Sequence, residues 1–244
     1  MLSAKERGMG EKSGISILVL TWNTIGYTKA QLDQIRKLTA GIDHEVVIAD
    51  NGSTDGTVEW LQDQTDVKLW RNKGNTWRHG FALDFLVRKA SKPICCTLCS
   101  DALPVSPEWT TPASFLDDGT VLAGIDKGWG RKLQHYVCPS YLFGWRDWLS
   151  KHSFADRWPD ADTGEMLSVE CVAEGKKMKL WPSIQVSVGA GFKKKPSDYN
   201  GWVWHTWWGS RRKAVPGLAG REFEAGYHER VKAHLKERYG IDVR

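Results

Sequence analysis

The 244-residue chain has no apolar run long enough to cross a bilayer, so no integral membrane segment is expected in it. Met1–Ser13 is polar and charged, with no apolar stretch of signal-peptide length, so residues 1–13 are expected to fray as a disordered tail. Cysteine is scarce and odd in number. There are five, with Cys95, Cys96 and Cys99 in one segment, which argues against a disulfide framework and suits a reducing, cytoplasmic compartment. No Pro/Ser/Gly-rich linker interrupts the middle, so a single domain over 14–244 is expected. Excess charge is also modest, at a formal +5, but it is uneven: Lys193–Lys195 and Arg211–Lys213 lie near the C-terminal third. Three readings of those clusters stay open: solvated surface, a grip on a diphosphate, or attraction for a polyanionic acceptor such as nucleic acid.

What is present is an alternation of buried strand and helix. Ile15–Leu20 is an apolar, β-branched run that enters Thr21-Trp22-Asn23. Thr28–Ala40 then places Leu32, Ile35 and Leu38 on one helical face, and Gly41 is placed to stop the helix. A second run, Glu45 to Ala49, ends in Asp50-Asn51-Gly52-Ser53-Thr54-Asp55-Gly56-Thr57, a turn followed by a helix start. Two such runs joined by a helix are parallel neighbours, with a right-handed crossover. The polar side chains at their ends then face the sheet edge where open α/β folds bind nucleotides.

These two segments resemble the opening of the family 2 glycosyltransferases, which have the GT-A fold and carry a second strand ending in D-N-G-S-x-D-x-T, complete here from Asp50 to Thr57. The resemblance continues through Asn72–Gly80 and the acidic turn at Asp101, and thinly to His205. It implies an α/β, GT-A nucleotide-diphospho-sugar transferase fold, with a mostly parallel central sheet flanked by helices. It divides the chain into a nucleotide-binding half at about 14–105, an acceptor-binding half at about 106–215 and a C-terminal helix at about 221–240. The implied activity is transfer of a sugar from a nucleotide-diphosphate donor, a UDP-sugar by preference, to an acceptor hydroxyl with inversion. Mn²⁺ or Mg²⁺ would assist. The acceptor stays open among DNA, protein and saccharide. The compact length and drifted motifs fit a phage or mobile-element enzyme, working in host cytoplasm.

Such a transfer needs a nucleobase pocket, neutralisation of the departing diphosphate, and a carboxylate to take the acceptor proton. By resemblance, Asp50 would accept a hydrogen bond from the base, with Thr21, Asn23 and Asn51 in the same pocket. The residue types at Asp50–Asp55 also shape turns and cap helices, the reading preferred for Asp55. Arg78, at a helix start, would reach the donor phosphates alongside the helix N-terminus. Ser100 and Asp101 would adjoin the diphosphate, and Arg211 would bring positive charge to the leaving group.

The departure is at the metal. The family usually ends a strand in Asp-x-Asp, whose second acid holds the cation; here Cys99 stands in the first position and Asp101 keeps the second. A thiol is a poor substitute for a carboxylate toward a hard cation. Asp101 and His205 are therefore the expected metal ligands, though a lone His is often structural. Zinc held by Cys95, Cys96 and Cys99 with His79 or Cys138 is disfavoured, since Cys95 and Cys96 point to opposite faces of a strand. Trp202, Trp204, Trp207 and Trp208 suit sugar faces or stacked bases, or equally a buried lid. Asp162 is the base candidate and Glu165 the second, although the pair also reads as an N-cap with its capping box before a helix ending near Gly175. Phe223, Tyr227, Val231 and Leu235 mark one face of a C-terminal packing helix. Cys99 and the Trp and basic clusters leave a second class open: a non-catalytic nucleotide-sugar or nucleic-acid binding module with a degenerate metal site.

Overall fold

The computed structural model describes residues 14–74, 76–128, 130–155, 160–186, 188, 196–206 and 227–244. The tail at 1–13, Arg211, Trp207, Trp208, Phe223, Lys193–Lys195 and Arg211–Lys213 lie outside the described residues. In chain order the strands are β1 (Ile15–Thr21), β2 (His44–Asp50), β3 (Val67–Arg71), β4 (Ile94–Cys99), β5 (Ala102–Pro104), β6 (Thr120–Asp126), β7 (Val137–Trp145), β8 (Lys177–Trp181), β9 (Ser183–Gln185), β10 (Ser197–Tyr199) and β11 (Val203–His205). The helices are α1 (Ile25–Leu38), α2 (Thr57–Gln62), α3 (His79–Lys89), α4 (Arg146–Leu149), α5 (Glu165–Ala173) and α6 (Tyr227–Tyr239), with a 3₁₀ segment at Pro107–Phe115.

The central sheet has seven strands in the order β3-β2-β1-β4-β7-β6-β8. β1 pairs parallel with both β2 and β4, and β2 with β3. β7 alone runs the other way, antiparallel to β4 and β6, while β8 follows β6 in parallel. The expected mostly parallel sheet with flanking helices is what forms. Alternation along the strands gives each face its own core. Ile17, Val19, Val46, Ile48, Cys96 and Leu98 pack with Leu32 and Ile35 of α1 on one face. Leu18, Val47, Ala49 and Cys95 pack with Leu83 and Leu86 of α3 and Leu167 and Cys171 of α5 on the other. Leu32 and Ile35 are fully buried, each contributing about 1.5–3 kcal/mol of transfer free energy.

The α1 helix begins at Ile25, three residues before the expected start at Thr28. Sequence spacing could not show why: its first amide, Ile25 N–H, is capped from across the fold by Asp55 Oδ2 at 3.0 Å. The other oxygen of Asp55 accepts the Thr57 amide at 3.2 Å, so one carboxylate serves two helix N-termini. Gly41 follows the end of α1 with φ of +83°, the left-handed conformation expected of it.

A second, four-stranded sheet, β5-β11-β10-β9, is antiparallel throughout. β5 follows β4 after only Ser100 and Asp101, so the chain passes from one sheet to the other at the acidic turn. α6 closes over the small sheet and α1, burying Tyr227, Val231 and Leu235 with Tyr27, Leu103 and Trp204. No described helix is long and apolar enough to cross a membrane.

Away from the site, Glu45 ties three strands and a loop together. It accepts from Ser16 Oγ at 2.5 Å, the Ser91 amide at 2.6 Å and Lys68 Nζ at 2.5 Å. Burial opposes its ionisation, but the bonds from Lys68, Ser16 and Ser91 outweigh that and hold its pKa at about 2, below the usual 4.5. A carboxyl lowered on folding stabilises the native state above its unfolded pKa and loses that contribution as pH falls through the folded value. Glu45→Gln is therefore expected to lower the thermal midpoint at pH 7, with the gap from wild type closing as pH falls from about 4.5 towards about 2. Thermal melts across that range check this, and a gap that stays constant would contradict it.

Candidate functional site

The carboxyl ends of β1, β2 and β4 lie on one rim of the central sheet, because the three strands are parallel and in register: Thr21 stands opposite Asp50, and Leu20 opposite Cys99. Strand order reverses about β1, the position where open α/β sheets form a crevice. β7 is antiparallel to β4, with Tyr141 opposite Leu98, so its first residues, Val137 and Cys138, extend past the same rim.

The turn Ser100-Asp101 is held from several sides. Gln31 of α1 donates its amide to the carbonyls of Cys99 and Ala102, both at 2.6 Å. Thr24 Oγ1 donates to Ser100 Oγ at 3.0 Å. β11 pairs with β5 so that His205 stands opposite Ala102, which brings a residue about a hundred positions away beside Asp101. His205 Nε2 lies 3.3 Å from Asp101 Oδ1. Thr206 Oγ1 donates to Asp101 Oδ2 at 3.1 Å, and the Thr206 amide donates to the Asp101 carbonyl at 3.0 Å. Both Asp101 and His205 are buried.

Cys99, Asp101 and His205 each present a ligand atom within 4.8 Å of the other two. Imidazole and carboxylate side by side, aimed at each other on the rim, are a donor set that fits a divalent cation. Behind the ring, Tyr199 OH meets His205 Nδ1 at 2.6 Å, and Cys138 Sγ is 3.8 Å from the same hydroxyl. Burial holds the Tyr199 phenol far above its ordinary pKa, so it stays protonated and fixes the ring. A ligating His is commonly oriented by such a partner on its other nitrogen. Neither Gln31 nor Tyr199 was legible as a site residue. Gln31 reads as one more polar position on α1, and the Tyr199–His205 spacing has meaning only once β10 and β11 form a hairpin.

The neighbouring helix adds positive potential. Asn51 Nδ2 donates to the Trp77 carbonyl at 2.9 Å, while its Oδ1 accepts from the Trp77 amide at 3.2 Å and Asn72 Nδ2 at 2.7 Å. This side chain docks the start of α3, with Arg78 at its N-cap, onto the rim. His79 Nε2 then comes to 3.8 Å from Cys99 Sγ, so the N-terminus of α3 borders the Asp101 cluster.

The residues expected at a nucleobase pocket are tied into the turn at the rim. Asp50 is fully buried, and its carboxylate accepts from the Gly52 amide at 2.9 Å, the Ser53 amide at 2.9 Å and Ser53 Oγ. Thr21, also fully buried, bonds to Thr24 at 2.9 Å and Thr28 at 3.0 Å. Asn23, with φ of +50°, accepts from the Thr54 amide at 2.8 Å and so braces the same turn. These groups build the turn at the rim. The reason is an amide count: a tight turn exposes donors that a nearby carboxylate satisfies more cheaply than water does.

The two acids at the start of α5 separate clearly. Glu165 is fully buried, with its carboxylate accepting from the backbone amides of Lys132, Leu133 (3.1 Å) and Asp162 (3.0 Å). Burial works against its ionisation, but the amides of Lys132, Asp162 and Leu133 win and lower its pKa. It anchors the loop at 130–133 so closely that a Cβ at Gly130 would meet Glu165 Oε1. The expected N-cap also shifts: α5 is preceded by Gly164 at φ +79°, and Asp162 turns instead to its neighbour's amide, Thr163, at 2.8 Å. Asp162 is only half-buried, and its Oδ2 accepts from Tyr136 OH at 3.1 Å. Tyr136 immediately precedes β7, whose Cys138 contacts Tyr199, so Asp162 is tied to the end of β7 that carries Cys138.

Of the tryptophans expected to offer a stacking surface, Trp204 is buried and stacks on His234 at 4.6 Å. Trp202 packs edge-on against Trp181 at 5.3 Å. Both serve packing, the alternative that the sequence left open.

The glycosyl transferase family 2 profile matches residues 16–128, the stretch from β1 through the Asp101 turn to just past β6. Over that segment, a little under half of its length, the chain resembles glycosyl transferase family 2. Its fold is GT-A, similar to the mannosyltransferase PcManGT of Pyrobaculum calidifontis, solved with GDP-Man and Mn²⁺ (TM-score 0.58, 17% identity, 71% of this chain and 56% of that one). It is also similar to glucosyl-3-phosphoglycerate synthase of Mycobacterium tuberculosis, solved with Mn²⁺, UDP and phosphoglyceric acid (TM-score 0.53, 17% identity, 70% and 68%). A nucleotidyl transferase from Methanothermobacter shares the architecture too (TM-score 0.52, 17% identity, 69% and 86%). At these identities the likeness establishes the fold. The chain spans little more than half the length of PcManGT. No curated protein matches its sequence.

Proposed function

We propose that this chain moves a sugar from a nucleotide-diphosphate donor to an acceptor hydroxyl, with inversion, using a divalent cation held by Asp101 and His205. The observation that carries the reading is the convergence of Asp101 and His205, 3.3 Å apart, at the switch-point rim of a family 2 fold. When bound there, the cation would neutralise charge on the departing diphosphate. Arg78 and the N-terminus of α3 would share that load, and Arg211 is proposed to add to it from the chain beyond β11. The nucleobase would lie against the turn built by Asp50, Asn51, Thr21 and Asn23, reading that surface rather than a free Asp50 carboxylate. Ser100 would line the diphosphate between Thr24 and Asp101.

Asp162 is the proposed base. It would accept the acceptor's proton as the hydroxyl attacks the anomeric carbon, through a transition state with oxocarbenium character. Glu165 supports this by fixing the loop at 130–133 and the Asp162 amide. The proposed acceptor side is 106–215, whose substrate is a saccharide, a protein hydroxyl or a hydroxylated DNA base. A panel of UDP- and GDP-sugars, each incubated with Mn²⁺, Mg²⁺ or EDTA, tests the reading through release of free nucleoside diphosphate. Cation-dependent release from at least one donor is expected, and none from any donor would overturn the proposal.

A further inference from the structure

We propose that Cys99 is a third ligand of the Asp101–His205 centre, which makes it a mixed thiolate, carboxylate and imidazole site selecting thiophilic cations such as Zn²⁺, Co²⁺ and Cd²⁺ over Mg²⁺. The proposal rests on the reading that Asp101 and His205 hold a cation. Cys99 Sγ, an Asp101 oxygen and a His205 nitrogen already lie within 4.8 Å of one another. In a tetrahedral site with metal–sulfur near 2.3 Å and metal–nitrogen or –oxygen near 2.0–2.2 Å, ligand atoms stand about 3.3–3.6 Å apart. The His205–Asp101 pair meets that at 3.3 Å, and with Sγ within 4.8 Å of both, closure asks that it approach by no more than about 1.5 Å.

The backbone leaves little else to rearrange. Gln31 pins the carbonyls on both sides of the turn, Cys99 and Ala102, at 2.6 Å, and the β5–β11 pairing fixes His205. Tyr199 holds the far nitrogen of the ring at 2.6 Å, and His79 Nε2, 3.8 Å from Sγ, is placed to support a thiolate. Three protein ligands leave one position open for water or a phosphate oxygen, the pattern of a working rather than a purely structural site.

Charge bookkeeping favours the same view. On binding, the thiol releases its proton to solvent, and thiolate plus carboxylate then balance a divalent cation, as two carboxylates would. Cys99 thus keeps the charge of the acid it replaces while changing its softness, and softness decides which metal is held. Cys95 and Cys96, deep in β4, are not in the cluster, and Cys138 faces the Tyr199 hydroxyl instead.

Titrating the metal-free protein with Co²⁺ tests this by absorbance. Wild type is expected to develop a thiolate-to-cobalt charge-transfer band. Cys99→Ser should lose it, and Cys138→Ser should keep it. Mn²⁺ binding, read by electron paramagnetic resonance, should change less than about 10-fold in Cys99→Ser while Cd²⁺ affinity falls at least about 100-fold, beyond the loss expected from a supporting partner alone. Cys99→Asp gives a second variant, expected to hold Mn²⁺ with no band. Absence of a band in wild type that still binds Mn²⁺ would overturn the Cys99 proposal and leave the Asp101–His205 reading standing. A band that survives in Cys99→Ser would overturn it as well. Failure of wild type to bind any of these cations would strike the underlying reading.

Discussion

Asp101→Asn is expected to lower cation-stimulated release of nucleoside diphosphate by at least about 10²–10³-fold, the loss typical of removing one electrostatic stabiliser from a water-excluded site. Asparagine is nearly isosteric and can still accept from Thr206 Oγ1, whose bond to Oδ2 is 3.1 Å, so the turn should keep its shape. What disappears is the negative charge beside His205. The turn braced by Gln31 and the ring fixed by Tyr199 would then still face each other, with the one carboxylate charge of the pair gone. The measurement is donor turnover against Mn²⁺ concentration, with a thermal melt to confirm folding. A variant with wild-type rate and the same Mn²⁺ dependence would show that Asp101 is an ordinary turn residue.

The second large effect is expected at Asp162. Asp162→Asn should lower donor turnover, with water standing in for the acceptor, by about 10²–10⁴-fold, the range for loss of a general base. Affinity for Mn²⁺ and for the nucleoside diphosphate should be unchanged. The side-chain oxygen can still accept from the Thr163 amide, and the NH2 in place of Oδ2 can donate to the Tyr136 hydroxyl oxygen once that hydroxyl rotates, so structure is conserved and only basicity is removed. Glu165 is not an equivalent candidate, because three backbone amides occupy its carboxylate and solvent does not reach it. A split between turnover and binding is the signature of a residue acting on the proton. Equal loss in both would place Asp162 among the groups that hold the loop.

Much of the nucleotide-binding half was legible because its information is local. Strands β1 and β2 announce themselves by β-branched apolar runs, and the Asp50–Thr57 turn follows from residue types that tolerate few other conformations. Asp101 and His205 were legible through family resemblance, and the β5–β11 pairing supplies the physical reason they meet. What was illegible depends on contacts across the fold. Asp55 caps a helix 30 residues before it, so the start of α1 could not be read from α1. Asp50 was read for a ligand, with turn shaping as the alternative, and its bonds to the Gly52 and Ser53 amides exist only once the turn closes. Glu165 stood as the second base candidate until the loop at 130–133 folded onto it. Trp204 looked like a platform until α6 covered it. In each case composition named the chemistry available, and tertiary burial decided which groups were already spent.

The most direct test of the whole account is a crystal structure of the protein soaked with Mn²⁺ and UDP, with anomalous scattering used to locate the metal. The account predicts an anomalous peak within bonding distance of Asp101 and His205, with the diphosphate between that peak and the N-terminus of α3. A peak elsewhere, or a nucleotide bound away from the β1–β4 rim, would contradict it.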